Sequence, residues 1–371
     1  MRVVHLITTL GRGGAETQLL MMIRHQIREQ GIEVHLRVLY GSMAFEPAFR
    51  EAGVASIERL SGDRLDGRVA FRRLRHELTV LKPDVLHTHL MKANAIGGLA
   101  GWRARVPAVV AHKHNDEEHM RRRPVALAHD LLSRLTDDAV VYLSDHVARF
   151  FRDKGTWPHP NGHVVPYGFE PAIYGRARDL RAELGLREDD ILFGTVARIA
   201  PQKGMDVLIR AFEAVADRET RAHLAIVGGP GFDAAHVALI EGLARDSRHA
   251  GRIHLTGQIQ TPMDAFAALD VFMLASRWEG FGLVLLEAMA AGCTIIATRV
   301  SAIPEVVRDG VDGQLVPAED PAALADAMTA LIAVGRPVKR PNAGRLADFS
   351  PQASFGRIRA LYDSLLEPRP R

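Results

Sequence analysis

Short apolar runs alternate with amphipathic stretches along almost the whole chain, in two successive series. The first series reads VVHLIT (3–8), VHLRVL (34–39), DVLHTH (84–89), AVVAHK (108–113), AVVYLS (139–144) and HVVPYG (163–168). The second reads ILFGTVA (191–197), HLAIVGG (223–229), RIHLTG (252–257), DVFMLAS (270–276) and CTIIAT (293–298). Helix candidates lie between them, among them Ala15–Gln30, Arg68–Leu81 and Met205–Ala216. Runs apolar throughout, joined by helices, predict parallel sheets covered on both faces. Two series predict an α/β chain with two Rossmann-like doubly wound domains. Pro166, Gly168 and Pro171 punctuate a boundary near Pro171–Arg181. The expected division is 1–172, 173–354 and a last helix, Phe355–Leu366, within 355–371.

The bulk numbers narrow the class. A chain of 371 residues can bury a core for each of two domains. Hydrophobic content of 47% and charged content of 25% are those of a globular protein. No apolar run reaches the roughly 18 residues of a membrane-spanning helix. The opening MRVVHLITTL enters a strand pattern directly, without the layout of a signal peptide. One cysteine, Cys293, rules out an internal disulfide framework, fits a reducing cytoplasm and reads as a small buried hydrophobe. Net charge is +3, with a slightly basic first half and a slightly acidic second. Few aromatics and no long basic run exclude a dedicated nucleic-acid binder.

The chemistry concentrates in Ser276–Val307. Glu279 and Glu287 stand eight positions apart, with Gly280 and Gly282 and then an apolar run between them, closed by Gly292. A loop leading into a short helix separates the carboxylates by roughly 10 Å, at about 1.5 Å per helical residue. That exceeds the roughly 5 Å of a retaining glycosidase pair. It suits two hydroxyl-binding groups at the ends of one long polar ligand. Glu287 falls within LVLLEAMAA, where an unpaired charge is costly. Phe281, Gly282 and Leu283 open that helix, so their N–H groups can face a phosphate, with Gly282 permitting close approach. Upstream, Arg198 and Lys203 lie in GTVARIAPQKGMD between a strand and a helix start, a place where two cations can clamp a diphosphate. Gly11, Gly13 and Gly14 follow the first strand, with Glu16 at the next helix start. His87 and His89 end one strand, and His112 and His114 end the next. No accompanying Cys/His set has zinc spacing, so no metal site is expected.

The segment S-x-x-E-G-F-G-L-x-x-L-E-A-M-A-x-G resembles the donor site of the retaining family 4 glycosyltransferases with the GT-B fold. The Arg198–Lys203 element is similar to that family's G-R-x-x-x-x-K-G, with Ala197 where Gly is usual. Together these matches extend over most of the chain. The resemblance implies two Rossmann-like domains facing across a cleft, an acceptor domain first and a nucleotide-sugar domain second. It implies donor contacts at Gly13, Gly14, Arg198, Lys203, Glu279, Phe281, Gly282, Leu283 and Glu287. Within that set, Glu279 binds sugar hydroxyls and Glu287 ribose hydroxyls. His114 matches the family's polar histidine and is expected beside the reacting centre, making His114, Glu279, Arg198 and Lys203 the catalytic set. Gly13, His89 and Asn115 are the acceptor candidates.

The resemblance further implies a last helix crossing back to the first domain and retention of configuration. With no D-x-D triplet in the chain, it also implies no metal and no cofactor. The expected partners are a nucleotide sugar, UDP-linked before GDP-linked, and a glycan or lipid-linked acceptor in cell-surface polysaccharide synthesis. The segment Glu117–Leu135, with Arg121–Arg123 before an amphipathic stretch, is the candidate for peripheral contact with the inner face of the cytoplasmic membrane. Two departures stand out: Ser301-Ala302 where Gly-Gly is common, and Tyr167 where Asn is frequent. A sugar-nucleotide epimerase, a phosphorylase and a non-catalytic nucleotide-sugar-binding module are the alternative readings. A dinucleotide oxidoreductase is disfavoured, because neither half opens with G-x-G-x-x-G.

Overall fold

The computed structural model describes residues 1–11, 13–115, 123–153, 159–170, 178–259 and 261–367. The chain forms two compact units, Met1–Glu170 with Phe349–Arg371, and Pro171–Asp348.

Unit 1 holds β1 (Arg2–Ile7), β2 (Glu33–Val38), β3 (Ser56–Arg59), β4 (Val85–His89), β5 (Ala108–Lys113), β6 (Ala139–Tyr142) and β7 (Gly162–Val164). They form one sheet in the order β3-β2-β1-β4-β5-β6-β7, parallel throughout. Unit 2 holds β8 (Ile191–Val196), β9 (Ala222–Val227), β10 (Ile253–Gly257), β11 (Val271–Leu274), β12 (Thr294–Thr298) and β13 (Gln314–Val316). Its order, β10-β9-β8-β11-β12-β13, repeats the same winding, again all parallel. In each sheet the first strand lies beside the fourth. Successive connections therefore leave in opposite directions at that point, and a doubly wound sheet opens its ligand crevice there.

The central strands are buried on both faces, which explains their unbroken apolar runs; every residue of β5 is buried. Two edge strands escaped the sequence reading. In β3 only Ile57 of SIER is buried, and β13 has three residues. An edge strand needs little apolar surface, so its pattern is faint.

The chain returns to unit 1 at Phe349, ahead of the helix start expected at 355. Phe349 is buried and its carbonyl accepts from the Phe169 N–H at 2.7 Å. The helix begins at Pro351 and runs to Leu366, because Ser350 caps it by accepting from the Ala353 N–H at 3.3 Å and proline fits the first turn. The units divide between Glu170 and Pro171. Glu117–Arg122 lies outside the described residues; the helix that follows spans Arg123–Thr136. Among the described residues no helix is long and apolar enough to cross a membrane.

Candidate functional site

In unit 2 the crevice position falls between β8 and β11, which pair directly. The loop after β8 carries Arg198 and Lys203; the loop after β11 carries Glu279. Lys203 ends a short 3-10 turn, Pro201–Lys203, and Gly204 follows with φ +60°. A Cβ on Gly204 would stand 2.0 Å from the Ala275 carbonyl oxygen, so only glycine lets the two loops meet. Once they meet, the Lys203 ammonium pairs with the Glu279 carboxylate. The Ser276 hydroxyl donates to the same carboxylate oxygen at 2.9 Å. Glu279 is buried and the Lys203 side chain nearly so.

Arg277 ties the loops together. Its guanidinium donates to both carboxylate oxygens of Asp206, at 3.1 and 2.9 Å, and to the Pro201 carbonyl at 2.6 Å. Its backbone N–H donates to the Gln202 carbonyl at 2.8 Å, and the Gln202 amide donates to the Trp278 carbonyl at 2.9 Å. The Asp206 hydrogen bonds hold the guanidinium above its ordinary range. Sequence reasoning missed this residue, because it occupies a variable position of S-x-x-E and only the fold brings Asp206 to it.

The helix Leu283–Ala290 starts after Gly282, whose φ of +87° turns the chain into it. Its first N–H groups lack intrahelical acceptors, as at any helix start. Phe281, Leu283 and Glu287 are all buried, with Glu287 in the second turn. Arg198 stands apart: it is exposed, and its guanidinium lies 5.2 Å from the ring centre of the exposed Phe232. Ser301 adopts φ +48°, a left-handed backbone suited to glycine, and the next N–H, of Ala302, reaches the Glu279 carbonyl at 3.4 Å. Cys293 packs in the core, with its thiol donating to the Phe266 carbonyl at 3.1 Å and burial pushing it up to about 11.

Unit 1 presents a different chemistry. Alternation along β4 and β5 puts His87 and His89, and His112 and His114, on one face. The register sets His5 beside His87 and His89 beside His112. All five histidines are buried. His114 Nδ1 lies 2.7 Å from the Tyr167 hydroxyl, and its Nε2 lies 3.1 Å from His89 Nδ1. His89 Nε2 meets His5 Nδ1 at 3.0 Å. His112 stacks on His114 with ring centres 4.2 Å apart. Burial drives every one of them down, His5 to about 4 and His114 to about 3. They are therefore neutral near pH 7.

Both ring nitrogens of His114 and of His89 are thus engaged inside the unit. His89, expected to meet an acceptor, sits in the sheet core with nothing to offer one in this arrangement. Gly13 and Gly14 lie at the start of the helix Gly14–Arg28, and Gly14 and Asn115 are exposed. Glu16 stands in the first turn of that helix, with its Oε2 2.7 Å from where a Cβ on Gly13 would stand. Two trios, His5–His87–His89 and His89–His112–His114, bring ring nitrogens within 4.8 Å of one another, the spacing of a candidate metal site. Neither trio includes a carboxylate to balance a dication, and four of the nitrogens already bond to each other.

The comparisons agree with this architecture. The Glycosyl transferases group 1 profile matches residues 190–333, and the Glycosyltransferase Family 4 profile matches residues 12–172. The D-inositol 3-phosphate glycosyltransferase 2 of Catenulispora acidiphila is 30% identical over 379 residues, spanning 92% of this chain and 86% of that protein. The D-inositol 3-phosphate glycosyltransferase of Streptomyces scabiei is 32% identical over 271 residues, 65% of this chain but only 58% of that relative's length. Anabaena HepE, solved in complex with UDP and glucose, has a TM-score of 0.85 at 20% identity, covering 98% of this chain and 100% of that one. That likeness shows a shared fold. The chain belongs to the family 4 glycosyltransferases and has the GT-B fold.

Proposed function

We propose that this protein transfers a sugar, with retention of configuration and without a metal, from a nucleoside diphosphate sugar to an acceptor hydroxyl. The observation that carries the reading is the meeting of Lys203 and Glu279 on neighbouring loops at the crevice of unit 2. In the proposed complex Lys203, Arg198 and the N–H groups at Phe281–Leu283 neutralise the diphosphate. Charge on the leaving phosphate grows in the transition state, so these groups favour the transition state over the bound donor. Glu279 and Glu287 hold sugar and ribose hydroxyls. The spacing of Glu279 and Glu287 is too wide for a nucleophile pair, which supports same-face displacement assisted by the leaving phosphate.

UDP is the favoured carrier, supported by the nucleotide in the HepE complex. The acceptor class we favour is a glycan or lipid-linked hydroxyl of the cell surface. The names of the inositol phosphate relatives favour a second class, a phosphorylated cyclitol. Gly13, Gly14 and Asn115 are the proposed acceptor-side contacts, with His114 behind Asn115. Peripheral membrane contact is supported by Leu127, Leu131 and Leu135, which are exposed on one face of the helix Arg123–Thr136. Replacing Leu131 with Ser should weaken flotation with anionic vesicles.

The decisive experiment measures nucleoside diphosphate release from UDP-, GDP- and ADP-sugars with EDTA present, beside a Glu279→Ala control. Acceptors in the panel include inositol phosphate and lipid-linked glycans. Release from one donor, lost in the control, is the expected result. Saturable binding without release from any donor and acceptor pair would defeat the reading in favour of a binding module.

A further inference from the structure

The histidine seam of unit 1 is a chain with a direction. Gln26 Oε1 carries no hydrogen, so His5 Nε2, 2.8 Å away, donates to it. A neutral imidazole has one N–H, which leaves His5 Nδ1 an acceptor. His89 Nε2, at 3.0 Å, therefore donates to His5, and His89 Nδ1 becomes an acceptor in turn. His114 Nε2 donates to it at 3.1 Å, and His114 Nδ1 accepts from the Tyr167 hydroxyl at 2.7 Å. On its other side the Gln26 amide nitrogen donates to the Tyr362 hydroxyl at 3.4 Å, and Tyr362 donates to His87 Nδ1 at 2.5 Å.

We propose that Gln26 is a positioning residue that fixes the tautomers of His5, His89 and His114 in unison, and so aims the Tyr167 hydroxyl hydrogen at His114 from the far end of the chain. A single reversed tautomer at His5 or His89 would set two hydrogens, or two lone pairs, face to face at both of its links, and at His114 it would do so at the link to His89. No water replaces the lost bond, because these side chains are buried, from Gln26 at 1% exposure to Tyr167 and His114 at 5%. At the far end, burial first and the Glu16 carboxylate second push the Tyr167 hydroxyl up. His112 stacks on His114 and on His87, and neither of its ring nitrogens has a hydrogen-bond partner among the described residues. No carboxylate or ammonium belongs to the chain of hydrogen bonds traced from Gln26 to Tyr167. Tyr167, one of the two departures from the family pattern, is its first donor.

The proposal goes beyond the transfer of sugar. Only its kinetic consequence rests on that reading. The direct test is nitrogen NMR of histidine side chains in the full-length protein at neutral pH, which tells a protonated from an unprotonated ring nitrogen. The expected wild-type result is hydrogen on Nε2 alone in His5, His89 and His114. Gln26→Met removes the terminal acceptor and should mix the tautomers as far as His114, while the exposed His163 keeps its signals. Gln26→Glu keeps an acceptor toward His5 and should keep the His114 tautomer. Tyr167→Phe removes the opposite end and should leave His5 and His89 unchanged.

Hydrogen on Nδ1 of any of the three in the wild type overturns the proposal. So does an unaltered His114 in Gln26→Met, or stoichiometric zinc on these nitrogens in the purified protein. In a transfer assay Gln26→Met should lower kcat several-fold and leave the donor KM in place. A wild type without turnover would defeat the proposed function, whereas the tautomers seen by NMR would still decide the role of Gln26.

Discussion

The two units share one winding and place their polar residues oppositely. Unit 2 keeps the polar chemistry of its site on loops and at a helix start, as ions: Lys203 against Glu279, and Arg277 against Asp206. Unit 1 carries a seam of neutral histidine rings within and just past the strands, three of them bonded in line. A loop at the rim leaves an ion partly solvated and free to exchange partners when a charged ligand arrives. A sheet core cannot hold an unpaired ion, so its titratable groups are either neutral, like the histidines, or paired, like Lys113 with Asp130. One topology thus supports an exchangeable clamp and a fixed seam.

Acid should separate the units most strongly. The seam histidines have native pKa values below their unfolded value of 6.5, with His5 at about 4 and His114 at about 3. The unfolded chain therefore binds protons first as pH falls. Their stabilisation is complete above pH 6.5 and is lost downward from there toward the native values. Each histidine costs about 1.4 kcal/mol per pH unit inside that window, as an order of magnitude. Hydrogen-exchange protection, taken against the intrinsic rate at each pH, should fall in β1, β4 and β5 before β8 and β11 as pH drops below 6.5. Equal loss of protection in both units would break the comparison.

Lys203→Ala comes next. It should lower kcat by about 10²–10³ with the fold retained, the scale of losing one group that stabilises transition-state charge. Normal turnover in that variant would sink the clamp. Arg277→Ala should cost less, about tenfold in kcat/KM, because it loosens the two loops without removing a contact to the ligand; steady-state kinetics beside Lys203→Ala rank the two. The smallest effect is expected at Ser301→Gly. Relief of a left-handed backbone gains about 1–2 kcal/mol, and the greater freedom of unfolded glycine offsets about 0.5–1 of it. Denaturant melting should show a net gain of about 0.5 kcal/mol.

What the sequence disclosed follows from the range of the interaction that specifies it. The central strands were legible because burial on both faces leaves an apolar run, and the helix Met205–Ala216 was bounded as read, from the glycine before it. β3 and β13 were not, since edge strands need few apolar residues. The candidate site divides the same way. Lys203, Glu279 and Gly282 lie in local motifs whose spacing carries the geometry. Arg277 became visible only when the fold brought Asp206, 71 positions away, to its guanidinium. The two H-x-H pairs were legible as strand ends, and the parallel register then set their four rings on one sheet face. What they could not signal is the pairing of His87 with Tyr362 across 275 positions, or the buried Gln26 between His5 and Tyr362.

The late return of Phe349–Leu366 to unit 1 has a consequence for synthesis. A ribosome has made every residue of unit 2 once Asp348 is joined, whereas unit 1, begun first, still lacks the helix that brings Tyr362 onto Gln26 and His87. Domains generally fold as units during translation, earliest segments first. Here the order of birth and the order of completion differ. The half that emerges first must keep part of its sheet uncovered until Phe349–Leu366 has followed the whole of unit 2.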